Sequence, residues 1–516
     1  MFPILGYYNI CQAIYREAHL RGPFGTMSTN DLQVKNNKAS SLAGNAVFNV
    51  IYRLLNILFP MVSAGYVARI LTADGVGRYA AAANNVSYFV MLGSLGIQAY
   101  ATREIARRKD DQEAKNKLFS EILIANAFMT VIAILAFALS LCVIPLFKAE
   151  WLMYLICGIA ILFNFINIDW YYQGTEEFKY ITLRSFVIKA VLLAAVFAFV
   201  HKPEHVYIYA LICVLANGGN NVINIVYSGK SVKFSLKGIR LRPHFMSLIF
   251  LAVCTVSTEL YARMDMTMLD IMDQNTTVAY YSYAQKIINL IVITAIAITG
   301  VFMPRLSYYY GKDDEKFNKL TRFGADFMIF TSFPVCLGLV SVASPLISIW
   351  LGEEYMPAVP CLIVLAFMIP FKCIGDIICY QVMMCAGKES YLMVAYTITM
   401  VLNFINNLIL IPRFGALGAS IASLISEIIV FGIVLMRSRR YQHYKFNMKN
   451  LIISAIASII MFAVVFGFQA VFKGDVIRLL GGTLVGVFVF VTLNIVFKND
   501  FLTGRFLRVL YRKLKL

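Results

Sequence analysis

Apolar runs of about twenty residues recur along this chain, separated by short polar gaps. The hydrocarbon core of a bilayer is about 30 Å thick and a helix rises about 1.5 Å per residue, so each run has the length that crosses a membrane as a helix. A helix is required because lipid offers no partner to backbone N–H and C=O groups, and a helix satisfies them within one segment. The pattern predicts about 14 transmembrane helices, starting near Ala43, Tyr79, Leu118, Trp151, Tyr180, Val206, His244, Val278, Phe323, Val359, Tyr391, Gly415, Asn450 and Val476.

The charges between these runs carry the orientation. Of the 46 Lys and Arg residues, 34 fall before the first span or in every second gap after it, and only seven fall in the alternate gaps: Arg69, Arg78, Lys148, Lys202, Arg413, Lys473 and Arg478. Cations are retained on the cytoplasmic side, so both termini are expected there. Five cations, Arg53, Lys189, Arg263, Lys286 and Lys372, lie within spans.

Composition narrows the class further. A chain that is 60% hydrophobic and 14% charged, with a mean hydropathy of +0.72, is too apolar for a soluble globule. The formal net charge of +18 would suggest nucleic acid in a soluble protein. Here it is the topology signal together with an attraction to anionic headgroups, so no nucleic-acid partner is expected; the lipid bilayer is. The ten Cys residues include no CxxC and no Cys/His spacing suited to zinc, and read as buried thiols. Residues 1–40 hold no span and no signal peptide. The polar run from Met27 to Lys38 leads directly into the first span, which leaves two readings open: a start at or near Met27, or a cytoplasmic tail.

A weak internal repeat organises the spans. At an offset of 202, Arg103 faces Arg305 and Tyr79 faces Tyr281. At 200, Pro145-Leu146 faces Pro345-Leu346, and at 213, Gly174-Thr175-Glu176 faces Gly387-Lys388-Glu389. The expected fold is an all-α polytopic membrane protein of two pseudo-symmetric six-helix bundles, 41–230 and 231–440. To these are added helices 13 and 14 in 441–497 and a basic cytoplasmic tail, 498–516. Duplicated halves of this kind place a substrate site at their interface, which is transporter architecture.

Between the fourth and fifth spans lies Asp169-Trp-Tyr-Tyr-Gln-Gly-Thr-Glu176. This resembles the Asp-Trp-x-x-Gln-Gly-x-Glu segment of Wzx-type oligosaccharide flippases, in the polysaccharide transporter branch of the multidrug/oligosaccharidyl-lipid/polysaccharide superfamily. Further similar stretches are Tyr100–Ala106, Met264–Leu269, Met303–Ser307, Gly387–Glu389, and Asn403 through Ile411–Ala419; Asp270 departs from the pattern, where many relatives have Gly. The resemblance implies a V-shaped pair of bundles that opens alternately to either side. It implies translocation of undecaprenyl-diphosphate-linked oligosaccharides across a bacterial plasma (inner) membrane, for O-antigen, capsule or exopolysaccharide synthesis. A polymerase and a chain-length regulator are the partners it suggests.

Polar groups inside the spans are the candidate site, since a charge at bilayer depth is costly unless paired or hydrated. Asn45, Asn49, Arg53 and Asn56 draw one polar stripe along the first span. A guanidinium grips phosphate through two parallel hydrogen bonds, so Arg53 is the leading diphosphate contact; the competing reading pairs it with an acid on another helix, Asp265 or Glu427. Glu259 and Arg263, four apart, read as a pair near the cavity. Asp265 falls on another face, as a coupling or bundle-interface carboxylate. Lys286 is a second phosphate candidate. Lys372 and Asp376, also four apart, are expected to pair locally. Asn217, Asn220, Asn221, Asn224, Asn403, Asn406 and Asn407 read as sugar contacts or as interhelical glue. Trp170, Tyr171 and Tyr172 fit an aromatic belt at the membrane surface, and the Gln173-Gly174 step a tight turn.

No cofactor is expected beyond coupling to a proton or sodium gradient. The alternatives are a lipid II flippase or a cation-coupled drug exporter of the same superfamily. A drug exporter would favour acids over cations in its cavity. A membrane polymerase or glycosyltransferase fits less well, because the outer gaps are short and the five His residues scattered.

Overall fold

The computed structural model describes residues 29–502 apart from 95, 109–110, 230, 236–238 and 443–446. Side chains are described from residue 61 onward, with a further gap over much of 243–258. Helices dominate, and no strand occurs among the described residues. The chain divides into two compact units, Met1–Leu260 and Tyr261–Leu516.

In the first unit, α1 (Thr29–Ser94) carries two predicted spans as one continuous helix broken only at Thr72, whose φ of 60° turns the chain. It is followed by α2 (Ile97–Arg107), α3 (Gln112–Val143), α4 (Pro145–Ala149), α5 (Trp151–Phe165), α6 (Asp169–Gly174), α7 (Phe178–Phe199) and α8 (Val206–Ser228). The α1 helix packs against α3, α5 and α7, and α5 packs against α8. Helix α9 (Arg242–Met272) crosses from the first unit into the second.

The second unit continues with α10 (Asn275–Thr299), α11 (Met303–Tyr309), α12 (Asp314–Trp350), α13 (Ala358–Ala366) and α14 (Met368–Gly375). A π turn over Asp376–Gln381 leads into α15 (Val382–Cys385). Then come α16 (Glu389–Ser438), α17 (Met448–Val471) and α18 (Asp475–Val496). Helix α16 again holds two spans, joined where Gly415 takes a φ of 53° just after Pro412. The two limbs meet so tightly that a Cβ on Gly418 would collide with the Leu410 carbonyl oxygen, so no larger residue fits without moving backbone. The C-terminal pair α17 and α18 packs on α12 through Val342, Ala457, Met461, Val465 and Phe490. Each predicted span has its helix, and long apolar faces remain on the outside, as lipid-facing helices require.

The Trp170–Tyr172 segment corrects its sequence expectation. Trp170 is 1% exposed, Tyr171 2% and Tyr172 0%, and they centre a core with Ile105, Phe119 and Ile181 instead of forming a surface belt. The Gly174 step explains part of this: its missing side chain lets α6 approach α2, where a Cβ would come within 2.9 Å of the Thr102 carbonyl oxygen. The Gln173-Gly174 step itself ends helix α6, and the turn follows at Thr175 and Glu176, the latter at a φ of 64°.

Candidate functional site

In the first unit the polar groups are mostly structural. Asp169 Oδ1 accepts from Asn224 Nδ2 at 2.5 Å and pairs with Arg184 Nη2 at 3.2 Å, while Tyr172 Oη donates to the Asn224 carbonyl at 2.9 Å. Asn221 Nδ2 caps the Phe163 carbonyl at 3.0 Å, and Ser185 Oγ donates to Asn220 Oδ1 at 3.3 Å. These amides therefore act as glue between helices. The side chains of Asn49, Arg53 and Asn56 lie outside the described residues; their backbone is part of α1.

One buried array in this unit has no counterpart among the sequence expectations. Tyr100 Oη and His244 Nδ1 lie 2.6 Å apart, and His244 Nε2 lies 2.9 Å from Glu121 Oε2. Glu121 Oε1 also accepts from the Arg240 backbone N–H at 2.9 Å. Further back, Gln112 donates to the Ser231 carbonyl, Asn116 accepts from the Lys233 N–H and Ser120 Oγ from the Ser235 N–H. The connection leading into α9 is thus strapped along the first turns of α3. These partners lie more than a hundred residues apart in sequence, and no local spacing announces them.

Most of the intramembrane charges lie in the second unit. Asp265 is buried on α9, while Arg263, two residues earlier, is half-buried, which places them on different faces as their spacing predicts. Glu259 and Arg263 stay one turn apart on the same helix, both half-buried. Around Asp265, Tyr281 Oη donates to Oδ2 and Asn407 Nδ2 to Oδ1, each at 2.6 Å, and Ser423 Oγ also donates to Oδ2. Asn407 Nδ2 reaches Asn403 Oδ1 at 3.1 Å, and the Asn407 Oδ1 atom is buried with no hydrogen-bond partner among the described residues. The carboxylate is thus held by neutral donors from α10 and both limbs of α16, amid an excess of oxygen atoms. A hard cation takes such a ring of carboxylate, amide and hydroxyl oxygens, and a proton needs only the carboxylate.

The expected Lys372–Asp376 pair does not form. Lys372 Nζ instead meets Glu427 Oε2 at 2.8 Å, with side-chain exposures of 26% and 9%, and Tyr261 Oη donates to the same oxygen at 3.4 Å. The two residues still stand one α turn apart, with the Asp376 N–H bonded to the Lys372 carbonyl, and each side chain takes a partner from elsewhere in the bundle. Asp376 Oδ2 accepts instead from Gln381 Nε2 at 2.7 Å and from Thr299 Oγ1 at 3.1 Å. Lys286 is half-buried, its ammonium 4.6 Å from the centroid of the buried Tyr283 ring, a distance typical of cation–π attraction.

The fold has close counterparts among solved structures. Lipid II flippase MurJ in an inward closed conformation superposes with a TM-score of 0.70 at 17% identity, over 90% of this chain and 98% of that one. An inward-facing multidrug resistance MATE family transporter of the MOP superfamily gives 0.59 at 12% identity, over 75% and 94%. In sequence, a candidate O-antigen transporter of Escherichia coli (strain K12) is 22% identical over 80% of this chain and 98% of its own length. Capsular polysaccharide biosynthesis protein CapF of Staphylococcus aureus is 25% identical over 74% and 94%. The family described as lipid II flippase MurJ matches residues 191–484, and the family described as polysaccharide biosynthesis protein matches residues 42–309. With just over half of its length matched to the latter, the chain belongs to the polysaccharide biosynthesis protein family.

Proposed function

We propose that this protein is a flippase that carries undecaprenyl-diphosphate-linked oligosaccharides from the cytoplasmic to the outer leaflet of the bacterial plasma membrane. The observation that carries the reading is the match to a candidate O-antigen transporter over nearly that protein's whole length, on a MOP transporter fold. The intramembrane cations Arg53, Arg263 and Lys286 suit a diphosphate, because each offers charge-assisted hydrogen bonds where screening is weak, whereas the charge of Lys372 is met by Glu427. Alternating access is a population shift between two packings, and a cargo biases it only through different contacts in each. The product would serve a polymerase and its chain-length regulator.

Asp265 is the proposed coupling site. Its neutral donors leave the charge uncompensated among the described residues, and the spare Asn407 oxygen supports a cation bound beside the carboxylate. Asp265→Asn should make polymer export independent of the sodium or proton gradient, and at least tenfold slower. Export that keeps its gradient dependence in this variant counts against the assignment.

A lipid II flippase is the second reading, favoured by the MurJ family match over residues 191–484. Complementation separates the two. Expression in a strain lacking its O-antigen or capsule flippase should restore surface polymer, while a strain depleted of its lipid II flippase should still lyse. The reverse pattern would replace the first reading with the second.

A further inference from the structure

Asp376 is buried in the membrane-spanning part of the second unit, and every partner it has among the described residues is neutral. Its nearest cation along the helix, Lys372, is committed to Glu427. A carboxylate in that position is costly at bilayer depth, and two neutral donors on one oxygen do not offset the loss of water. The acid form carries no such cost. It needs an acceptor for its own O–H, and one is at hand.

That acceptor is Gln381, itself 3% exposed. Its Nε2 donates to Asp376, while its Oε1 is buried and has no hydrogen-bond partner among the described residues. A side-chain amide presents a donor and an acceptor about the same terminal carbon, and half a rotation exchanges them. The NH2 group serves the carboxylate; the oxygen serves the carboxylic acid. The winding of the chain creates the pairing. In an α-helix, residues five apart point about 140° away from each other. The π turn over Asp376–Gln381 instead brings the two side chains into contact, and such turns are frequent at functional sites.

The surroundings leave protonation as the way to remove the charge. The titratable neighbours are Cys373, Cys379 and Tyr380 from the same segment and Tyr396 from α16, all thiols or phenols that are neutral near pH 7. From α10 comes the Thr299 hydroxyl, and α12 brings Gly324 against Ile377. One hydroxyl and one amide are too few oxygens for a hard cation, in contrast to the ring around Asp265.

We propose that Asp376 is a proton-binding site, distinct from Asp265, at which the carboxylate takes up a proton from water and the Gln381 amide turns from donor to acceptor. Protonation removes a buried charge from the π turn, so proton occupancy biases whichever packing of this span keeps Asp376 most deeply buried. Infrared difference spectra of the purified full-length protein, titrated with acid, test this. A carboxylic-acid C=O band should appear in the wild type and in Asp265→Asn, be absent in Asp376→Asn, and be unchanged when sodium replaces potassium. Gln381→Leu should keep the band and raise its midpoint by about one pH unit, since the hydrogen bond lost by the carboxylate is stronger than the one lost by the acid. A band that persists in Asp376→Asn, that sodium abolishes, or that never forms overturns the proposal, as does an unmoved midpoint in Gln381→Leu. The readout is a vibration of one carboxyl group, so failure of the flippase reading would leave it standing.

Discussion

At the residue scale, the intramembrane ionisable groups were visible in the sequence and their partners were not. Lys372 met Glu427, on a different helix, although it stands one α turn from Asp376, whose own partners are Gln381 in the π turn and Thr299 on α10. The donors to Asp265 come from positions 16, 142 and 158 residues away. Polarity and helical period mark which residues need a partner; only the assembled bundle supplies it. The pair makes a direct prediction. Lys372→Ala strands Glu427 without a countercharge and should cost about 3–5 kcal/mol, read as a lower thermal unfolding midpoint in detergent. The double variant Lys372→Met/Glu427→Leu removes both charges and should recover most of that loss while remaining defective in polymer export. A double variant as unstable as the single one would show that the pair is not the origin of the effect.

At the element scale, hydrophobic run length located every span, since crossing a bilayer fixes length and composition together. What it could not show is that spans 1 and 2, and again 11 and 12, are joined without a loop, by single turning residues at Thr72 and Gly415. The run Pro412-Arg413-Phe414-Gly415 held the signal for the second turn, and Gly418 held the reason for its tightness. Gly418→Ala forces a methyl group against the Leu410 carbonyl and should lower folded yield sharply in size-exclusion chromatography. Gly432, in the same helix, has open space where a Cβ would stand. Gly432→Ala should be neutral or stabilising by about 0.5–1 kcal/mol, since alanine loses less backbone entropy in a helix. Equal behaviour of the two variants would remove the close approach as the cause.

At the scale of the whole molecule, sidedness joins the sequence to the fold. Within the first unit, Arg78 bonds Glu150 at 2.5 Å and Tyr207 at 2.8 Å, and Tyr66 bonds the Val200 carbonyl at 2.8 Å. All three contacts join turns that the charge pattern assigns to the outer side. Within the second unit, Gly415 sits beside Asp273, and Ser348 bonds Asp475 at 2.5 Å, again tying outer turns to one another. Lys449 and Asp500, 2.9 Å apart, join two turns assigned to the inner side. Within each unit, packing thus joins turns that the cation pattern assigns to one side, although the two signals have independent origins: one is hydrogen bonding in the folded bundle, the other the retention of Lys and Arg during insertion. We therefore predict that cysteines introduced at Asp273 and Glu353 react with a membrane-impermeant thiol reagent in intact cells. Those at Lys233 and Lys312 should react only after the membrane is opened. A mixed result, with one of each pair labelled, would contradict the grouping itself. A full inversion would keep the grouping and reverse the orientation, placing the termini and all 34 of those cations on the outer face, against the insertion rule.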